Sequence, residues 1–336
     1  MCYCSEIMVP VPKTILVYVG GDLVGDAIMK LPFVRALRQT WPEAHITWCA
    51  GKHRSAFAHQ LAPLTTGLID EVIEEAGFDR PLSLFLRRPL AGRHFDLVID
   101  TQRGVGTTLL LRRLRHKHLL SGAARFLLSS VKPPRDYERP ASMVKQLADL
   151  VALGSGKPAL AEGRLSLAAD IIEAASQALP EGPIYVGLAP GAGGRQKCWP
   201  LENFIAVAKL QQSLGRVPVF ILGPEEGDMV TPLRDGAPDA LFPTIPSDGR
   251  APTPSIPFSI ALGQRLAVAI ANDSGAGHIL AVADAPLVSL FGPTPAAKFA
   301  PAAPRLTVID AKSFGSDAMD AIPVDAVSAA IETLLS

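Results

Sequence analysis

The chain of 336 residues is 48% hydrophobic and only 19% charged, with 30 prolines and 28 glycines distributed along it. That length suits two domains with separate cores, and the composition excludes intrinsic disorder. No apolar run approaches the roughly 18 to 20 residues that span a bilayer, and the formal net charge is zero.

The N-terminal stretch "MCYCSEIMVPVPK" lacks a basic region followed by an apolar one, so no signal peptide is read and a cytoplasmic location is expected. Cys2 and Cys4 are too close to build a metal knuckle alone, and Cys49 and Cys198 stand singly. Without a CxxC pair, neither a zinc ribbon nor a disulfide framework is supported.

"KTILVYVGGDLVGDAIMKLPFVRALRQTWP" opens as a strand, turns at Gly20 and Gly21, and continues with Ile28, Leu31, Val34 and Leu37 at helical spacing. Gly20 and Gly25 match the glycine spacing of a phosphate loop, but Asp26 and Ala27 stand where that motif needs Lys and Ser or Thr. What remains is the Asp26 carboxylate in a first helical turn beside small residues. The ordinary role of an Asp there is to cap the helix.

"AHITWCAG", "EVIEE" and "FDLVIDTQ" read as further strands, separated by Leu- and Arg-rich helical stretches. The first 160 residues carry a charge of +7 and the remainder −7, with thirteen basic and four acidic residues between Arg80 and Arg139. Such a field favours an anionic partner, or a solvated face, on the first half.

Breakers in "LGSGKPALAEG" and "LPEGP" place a boundary near residues 165 and 166. The same grammar then restarts: "PIYVGLAPGAG" is a strand entering a glycine turn, "LENFIAVAKLQQSLG" a helix, and "VPVFILGPEEGD" a strand and turn. "QRLAVAIANDSGAGHILAVADAPLVSLFGPT" gives strand, loop, helix and strand again. Strands alternating with helices imply parallel sheets covered on both faces. Two doubly wound α/β domains facing a cleft, over residues 1–165 and 166–336, are the expected architecture.

In such sheets ligands bind at the carboxyl ends of strands, where helix N-termini offer unpaired N–H groups. Two clusters of the second half fall at such places. In "LAPGAGGRQKCWP", Gly191 and Gly193 let backbone N–H groups approach a ligand, and Lys197 follows as a point charge. In "NDSGAGH", Asp273, Ser274 and Gly275 stand where a helix begins, with His278 one turn on from Ser274. The chain contains no DxD, HExxH or GxSxG, so no carboxylate-held metal and no protease or hydrolase signature is indicated.

In this order the motifs resemble the ADP-heptose lipopolysaccharide heptosyltransferase family, glycosyltransferase family 9. The resemblance rests on Gly25 and Asp26 followed by Pro32, on "APGAGGRQKCWP", on "LGPEEGD", and on "NDSGAGH" with "FGPT" downstream, and covers about residues 13 to 335. It implies a GT-B fold and an inverting, metal-independent transferase that needs no cofactor. By motif, Asp26 resembles the general base. Gly191, Gly193, Lys197, Glu226, Asp273, Ser274, Gly275 and His278 resemble the donor-binding group, with Glu226 near the nucleoside.

The implied partners are a nucleotide sugar, expected to be ADP-heptose, and an anionic glycolipid such as lipopolysaccharide core, met by Arg80, Arg87, Arg88 and Arg103. A peripheral contact with the inner membrane accompanies that acceptor, and no nucleic acid is expected. The chain departs from the family at Ala192 and Gly193, where some members place threonines, so only backbone donors remain there. A Rossmann oxidoreductase or nucleotide-sugar epimerase is disfavoured by the missing GxGxxG, and a non-catalytic binder by the presence of Asp26.

Overall fold

The computed structural model describes residues 9–78, 90–159, 164–245 and 255–336. Cys2, Cys4, Arg80, Arg87 and Arg88 lie outside the described residues. The chain separates into two compact units, Met1–Gly163 and Arg164–Ser336. No helix among the described residues is long and apolar enough to cross a membrane.

The first unit is built on β1 (Thr14–Val19), β2 (His45–Ala50), β3 (Glu71–Ile73), β4 (His94–Asp100) and β5 (Arg115–Ser121). They pair in the order β3-β2-β1-β4-β5, every pair parallel. Helix α1 (Val24–Thr40) follows β1, α2 (Val105–Leu111) follows β4, and α3 (Met143–Ser155) closes the unit by packing on α1. Ile28, Leu31, Val34 and Leu37 are fully buried, which is the face their spacing predicts. β5 is a strand where the sequence reads only as Arg- and Leu-rich helix. Its "RHKHLLS" lacks an apolar alternation because it is an edge, where charged side chains discourage pairing with another chain.

The second unit repeats the plan. Strands β6 (Tyr185–Ala189), β7 (Val217–Phe220), β8 (Val268–Asn272), β9 (Leu287–Phe291) and β10 (Leu306–Asp310) pair in the order β10-β9-β8-β6-β7, all parallel. Among its helices are α4 (Ala169–Ala178), α5 (Leu201–Ser213), α6 (Ile256–Gly263), α7 (Gly275–Val282) and α8 (Val324–Leu335). Along β8, Val268 and Ile270 enter one apolar cluster and Ala269 and Ala271 the other, so both faces of the sheet are covered. Small alanines on the second face let α6 and α7 approach closely. The continuous apolar run "VAIA" is what a strand buried on both sides requires.

Each sheet turns back on itself beside the strand that opens its unit: β1 has β2 on one side and β4 on the other, and β6 has β7 and β8. At such switch points the loops leave in opposite directions and open a crevice at the carboxyl ends. The loops Gly20–Leu23 and Thr101–Gly104 occupy that position in the first unit, and Pro190–Gly194 and Asp273–Ser274 in the second.

The loop after β1 is held from below. Asp22, 3% exposed, accepts from the ammonium of Lys30, from Trp48 Nε1 at 2.8 Å and from Ser55 Oγ at 3.1 Å. A buried carboxylate is tolerable only with such partners, and Lys30 supplies the compensating charge. Lys30→Met leaves that charge uncompensated and is expected to destabilise the first unit by about 3–5 kcal/mol. Asp22→Asn in the same background is expected to restore part of the loss, as read from urea denaturation, and equal stability of the single variant and the parent would contradict the account.

Candidate active site

In the first unit, Asp26 is the third residue of α1. The N-cap is Leu23, whose side chain makes no capping bond, and Asp26 itself is exposed. No hydrogen bond joins the Asp26 carboxylate to another described residue, so the helix-cap role does not describe it. Its side chain borders a cavity of about 240 Å³ whose wall also includes Lys30, Gln102, Arg103, Tyr137 and Arg139. Lys30 follows Asp26 by four residues and therefore lies one turn further along the same face of α1.

Arg103, expected from sequence, reaches this cavity from the loop after β4, at a left-handed φ of 60°. Its Nη1 donates to Gln146 Oε1 at 2.5 Å. Arg139 joins it, with Nη2 donating to the Gly122 carbonyl at 2.9 Å, and Tyr137 is fixed by donating its hydroxyl to Asp149 at 2.7 Å. Gln146, Tyr137 and Arg139 were missed by sequence reasoning. They come from α3 and the loop before it, more than a hundred residues after Asp26, and share no motif with it. The one signal was that Arg139 closes the basic stretch. The cavity thus combines a carboxylate open to ligand with two guanidinium groups and a phenol.

In the second unit the expected residues converge. Asn272, fully buried at the end of β8, accepts from the Trp199 N–H at 3.1 Å and donates to the Pro190 carbonyl at 2.7 Å. Both ends of the glycine loop are thereby tied to β8. Trp199 is anchored again by its ring N–H, which donates to the Ile322 carbonyl at 2.9 Å. Lys197, two residues before Trp199, then donates to Asp273 Oδ2 at 2.8 Å, and the Thr294 hydroxyl donates to the same oxygen at 2.5 Å. Thr294 belongs to "FGPT" and is part of this network although sequence reasoning gave it no role.

The strand ends at Asn272, so Asp273 is a loop residue and Ser274 the N-cap of α7. Ser274 does not perform the capping bond, and its hydroxyl is buried with no partner among the described residues. The first N–H groups of a helix have no intrahelical acceptor. At α7 they follow directly on Asp273, the partner of Lys197, and the helix dipole adds a positive end. Gly275 opens the helix, and the His278 N–H closes its first turn on the Ser274 carbonyl.

Glu226 completes the set from the turn after β7. Its Oε2 accepts from the Gly223 N–H at 2.6 Å, while Oε1 lies where a side chain on Gly191 would begin, 2.2 Å from an ideal Cβ. A side chain at Gly191 would therefore displace this carboxylate from its place. Gly193, by contrast, has open space on its Cβ side, which leaves its backbone accessible. Burial pushes the Glu226 carboxyl above the ordinary carboxylate range, opposed by the Gly223 hydrogen bond. Among the described residues no three His, Cys, Asp or Glu side chains converge as a metal site.

The model of the family described as "Glycosyltransferase family 9 (heptosyltransferase)" matches residues 84–319. Lipopolysaccharide heptosyltransferase 3 of Escherichia coli is 23% identical over 296 residues, which are 80% of this chain and 81% of that protein. The solved glycosyltransferase family 9 structure from Veillonella parvula DSM 2008 matches with a TM-score of 0.71 at 23% identity, covering 96% of this chain and 97% of that one. E. coli heptosyltransferase WaaC with ADP matches with a TM-score of 0.66 at 18% identity, covering 96% and 99%. The chain belongs to glycosyltransferase family 9: it is a glycosyltransferase of the GT-B fold, with two Rossmann-like domains.

The Asn272 carboxamide holds this arrangement together, so its removal should be felt in stability. Asn272→Ala orphans a buried N–H and a buried carbonyl, each costing about 1–3 kcal/mol. A fall of that size in unfolding free energy is expected by denaturant titration, and also for Asn272→Asp, whose carboxylate cannot donate to Pro190. Parental stability of both variants would show that the carboxamide is not the tie.

Proposed function

We propose that this family 9 glycosyltransferase transfers a heptose or related sugar from an ADP-sugar to an acceptor of the lipopolysaccharide inner core, with inversion and without a metal ion. The observation that carries the reading is the buried Ser274 hydroxyl, without a partner among the described residues, at the N-terminus of α7, beside Lys197 held on Asp273. A helix N-terminus with an oriented ammonium next to it is a site for a diphosphate. The ADP of the related E. coli enzyme supports adenosine as the nucleoside. Glu226, beside Gly191, is assigned to the ribose hydroxyls as an acceptor.

In this reading the acceptor hydroxyl oxygen forms a bond to the anomeric carbon from the face opposite the diphosphate. The bond from that carbon to the diphosphate oxygen breaks, and the electron pair leaves on ADP. Asp26 accepts the hydroxyl proton, which its exposed carboxylate, bonded to no described residue, is free to do. The leaving charge is met by Lys197, by the N–H groups of Gly275 and its neighbours, and by the Ser274 hydroxyl. Gly191 and Gly193 contribute backbone N–H groups.

The acceptor is an anionic glycolipid in this account. Arg103 and Arg139 on the cavity of Asp26 offer planar donors that suit carboxylate and phosphate groups. Its lipid places the reaction at a membrane surface, where the enzyme acts as a peripheral protein.

Asp26→Asn keeps the shape of the side chain but removes the proton acceptor. We expect transfer to fall about 10²- to 10⁴-fold while ADP affinity stays parental, measured by product formation beside calorimetric titration. Parental turnover would remove Asp26 from the mechanism. The same assay in EDTA is expected to keep its rate, and loss of turnover that Mg²⁺ restores would overturn the metal-independent assignment.

A further inference from the structure

The turn after β5 carries unusual backbone. Ala124, Arg125 and Phe126 take φ values of 47°, 53° and 65° in succession, and none of them is glycine. A Cβ crowds the neighbouring carbonyl in this region, so residues of this kind persist there only where the surroundings impose it. Here the surroundings are identifiable. Phe126 is buried edge-on against Tyr137, with ring centroids 5.6 Å apart, and forms part of the wall of the Asp26 cavity. Lys132 folds back over the turn, its Nζ donating to the carbonyls of Phe126 at 2.6 Å and Leu127 at 2.7 Å.

The consequence is seen one residue on. Leu127 is 72% exposed at the tip of the turn. Helix α2 packs against the same turn and presents Val105 and Leu109, one helical turn apart and each 50% exposed. Around these apolar side chains the charge has one sign: residues 101 to 132 include seven Lys or Arg and no Asp or Glu. Arg112, at the end of α2, and Arg125, within the turn, are both exposed. The Lys132 ammonium is held below its ordinary pKa, first by burial and next by the charge of Arg112. An isolated exposed leucine needs no explanation, but Leu127 held out by a strained turn, with Val105 and Leu109 exposed on the helix packed against that turn, inside an acid-free basic stretch, does.

We propose that the Ala124–Leu127 turn and the exposed face of α2 are a docking surface for an anionic phospholipid bilayer. Leu127, Val105 and Leu109 enter the boundary between headgroups and acyl chains, and Arg112, Arg125 and Lys132 meet the headgroup phosphates. Because Phe126 lines the cavity and Leu127 is the next residue, the same turn that grips the bilayer positions a wall of the acceptor site beside it. The choice of a bilayer over a protein partner rests on the proposed lipid-linked acceptor and on charge complementarity.

The test is sedimentation of the full-length protein with vesicles of phosphatidylglycerol and phosphatidylethanolamine, beside vesicles of phosphatidylcholine alone. Binding to the anionic vesicles is expected, weakened about fivefold by R112Q and again by R125Q, in keeping with the usual contribution of a cation at such a surface. L127D is expected to abolish sedimentation while keeping the parental far-UV spectrum and melting temperature. No sedimentation of the parent with anionic vesicles overturns the proposal, as does sedimentation that L127D and the arginine variants leave unchanged. Vesicle binding is read without turnover. An enzyme that sediments but transfers nothing to a soluble core oligosaccharide contradicts the proposed function alone, and one that transfers without sedimenting contradicts the docking surface alone.

Discussion

The second unit depends on a single buried carboxamide. Asn272 sits at the end of β8 with no access to water, and a group of that polarity must find partners inside the protein. It finds them on both sides of the glycine loop, Pro190 before it and Trp199 after it. Once Trp199 is fixed, Lys197 is within reach of Asp273, the residue that follows Asn272. Lys197, its counter-ion Asp273 and the start of α7 are therefore placed by one amide rather than by three independent contacts. Packing contributes the rest: Trp199 is 1% exposed and stacks edge-on with Phe204 of α5 at 5.1 Å.

The charge balance of this site follows from the same geometry. Asp273 is 9% exposed in its side chain and Lys197 30%, so the pair is partly desolvated and close to neutral as a unit. In the proposed reaction Lys197 acts on the diphosphate as an oriented donor, with little net field of its own. The field falls to the helix N-terminus and its unpaired N–H groups, which need no counter-ion and no reorganisation. Thr294 serves this arrangement by donating to the oxygen of Asp273 that Lys197 also uses, which fixes the orientation of the carboxylate. In the first unit the opposite device appears. The buried Asp22–Lys30 pair is satisfied internally, while Asp26, one turn from Lys30, is left open to the cavity.

Much of this was legible in the chain because parallel sheets write themselves as apolar runs ending in glycine. The runs at β1, β2, β6 and β8 hold no Asp, Glu, Lys or Arg and are followed by loops rich in Gly, Asp or Ser, so strand and site are read together, and in β4 the apolar stretch from Leu97 to Ile99 stands out between two aspartates. β5 and β10 were not legible for a common reason: each is an edge strand, half covered, whose polar residues break the pattern. The site residues of the second unit form contiguous motifs since each loop leaves one strand end. The wall opposite Asp26 does not. Arg139, Tyr137 and Gln146 reach the cavity through the fold of a loop and a helix, and no spacing in the chain announces it. Nor does sequence reveal that Asn272, and not Asp273, is the structural member of "NDSG", for that depends on which of the two side chains points into the sheet.

The central claim is that the polar groups at the start of α7 exist to hold a nucleoside diphosphate, and Ser274 tests it most directly because its hydroxyl has no partner among the described residues to lose. Calorimetric titration of ADP into the parent and into Ser274→Ala, each accompanied by a thermal melt, separates ligand from fold. The account predicts an unchanged melting temperature and affinity weaker by about 1–3 kcal/mol, the usual cost of removing one hydrogen bond to a charged group. Parental affinity in the variant, or failure of the parent to bind ADP, would contradict it.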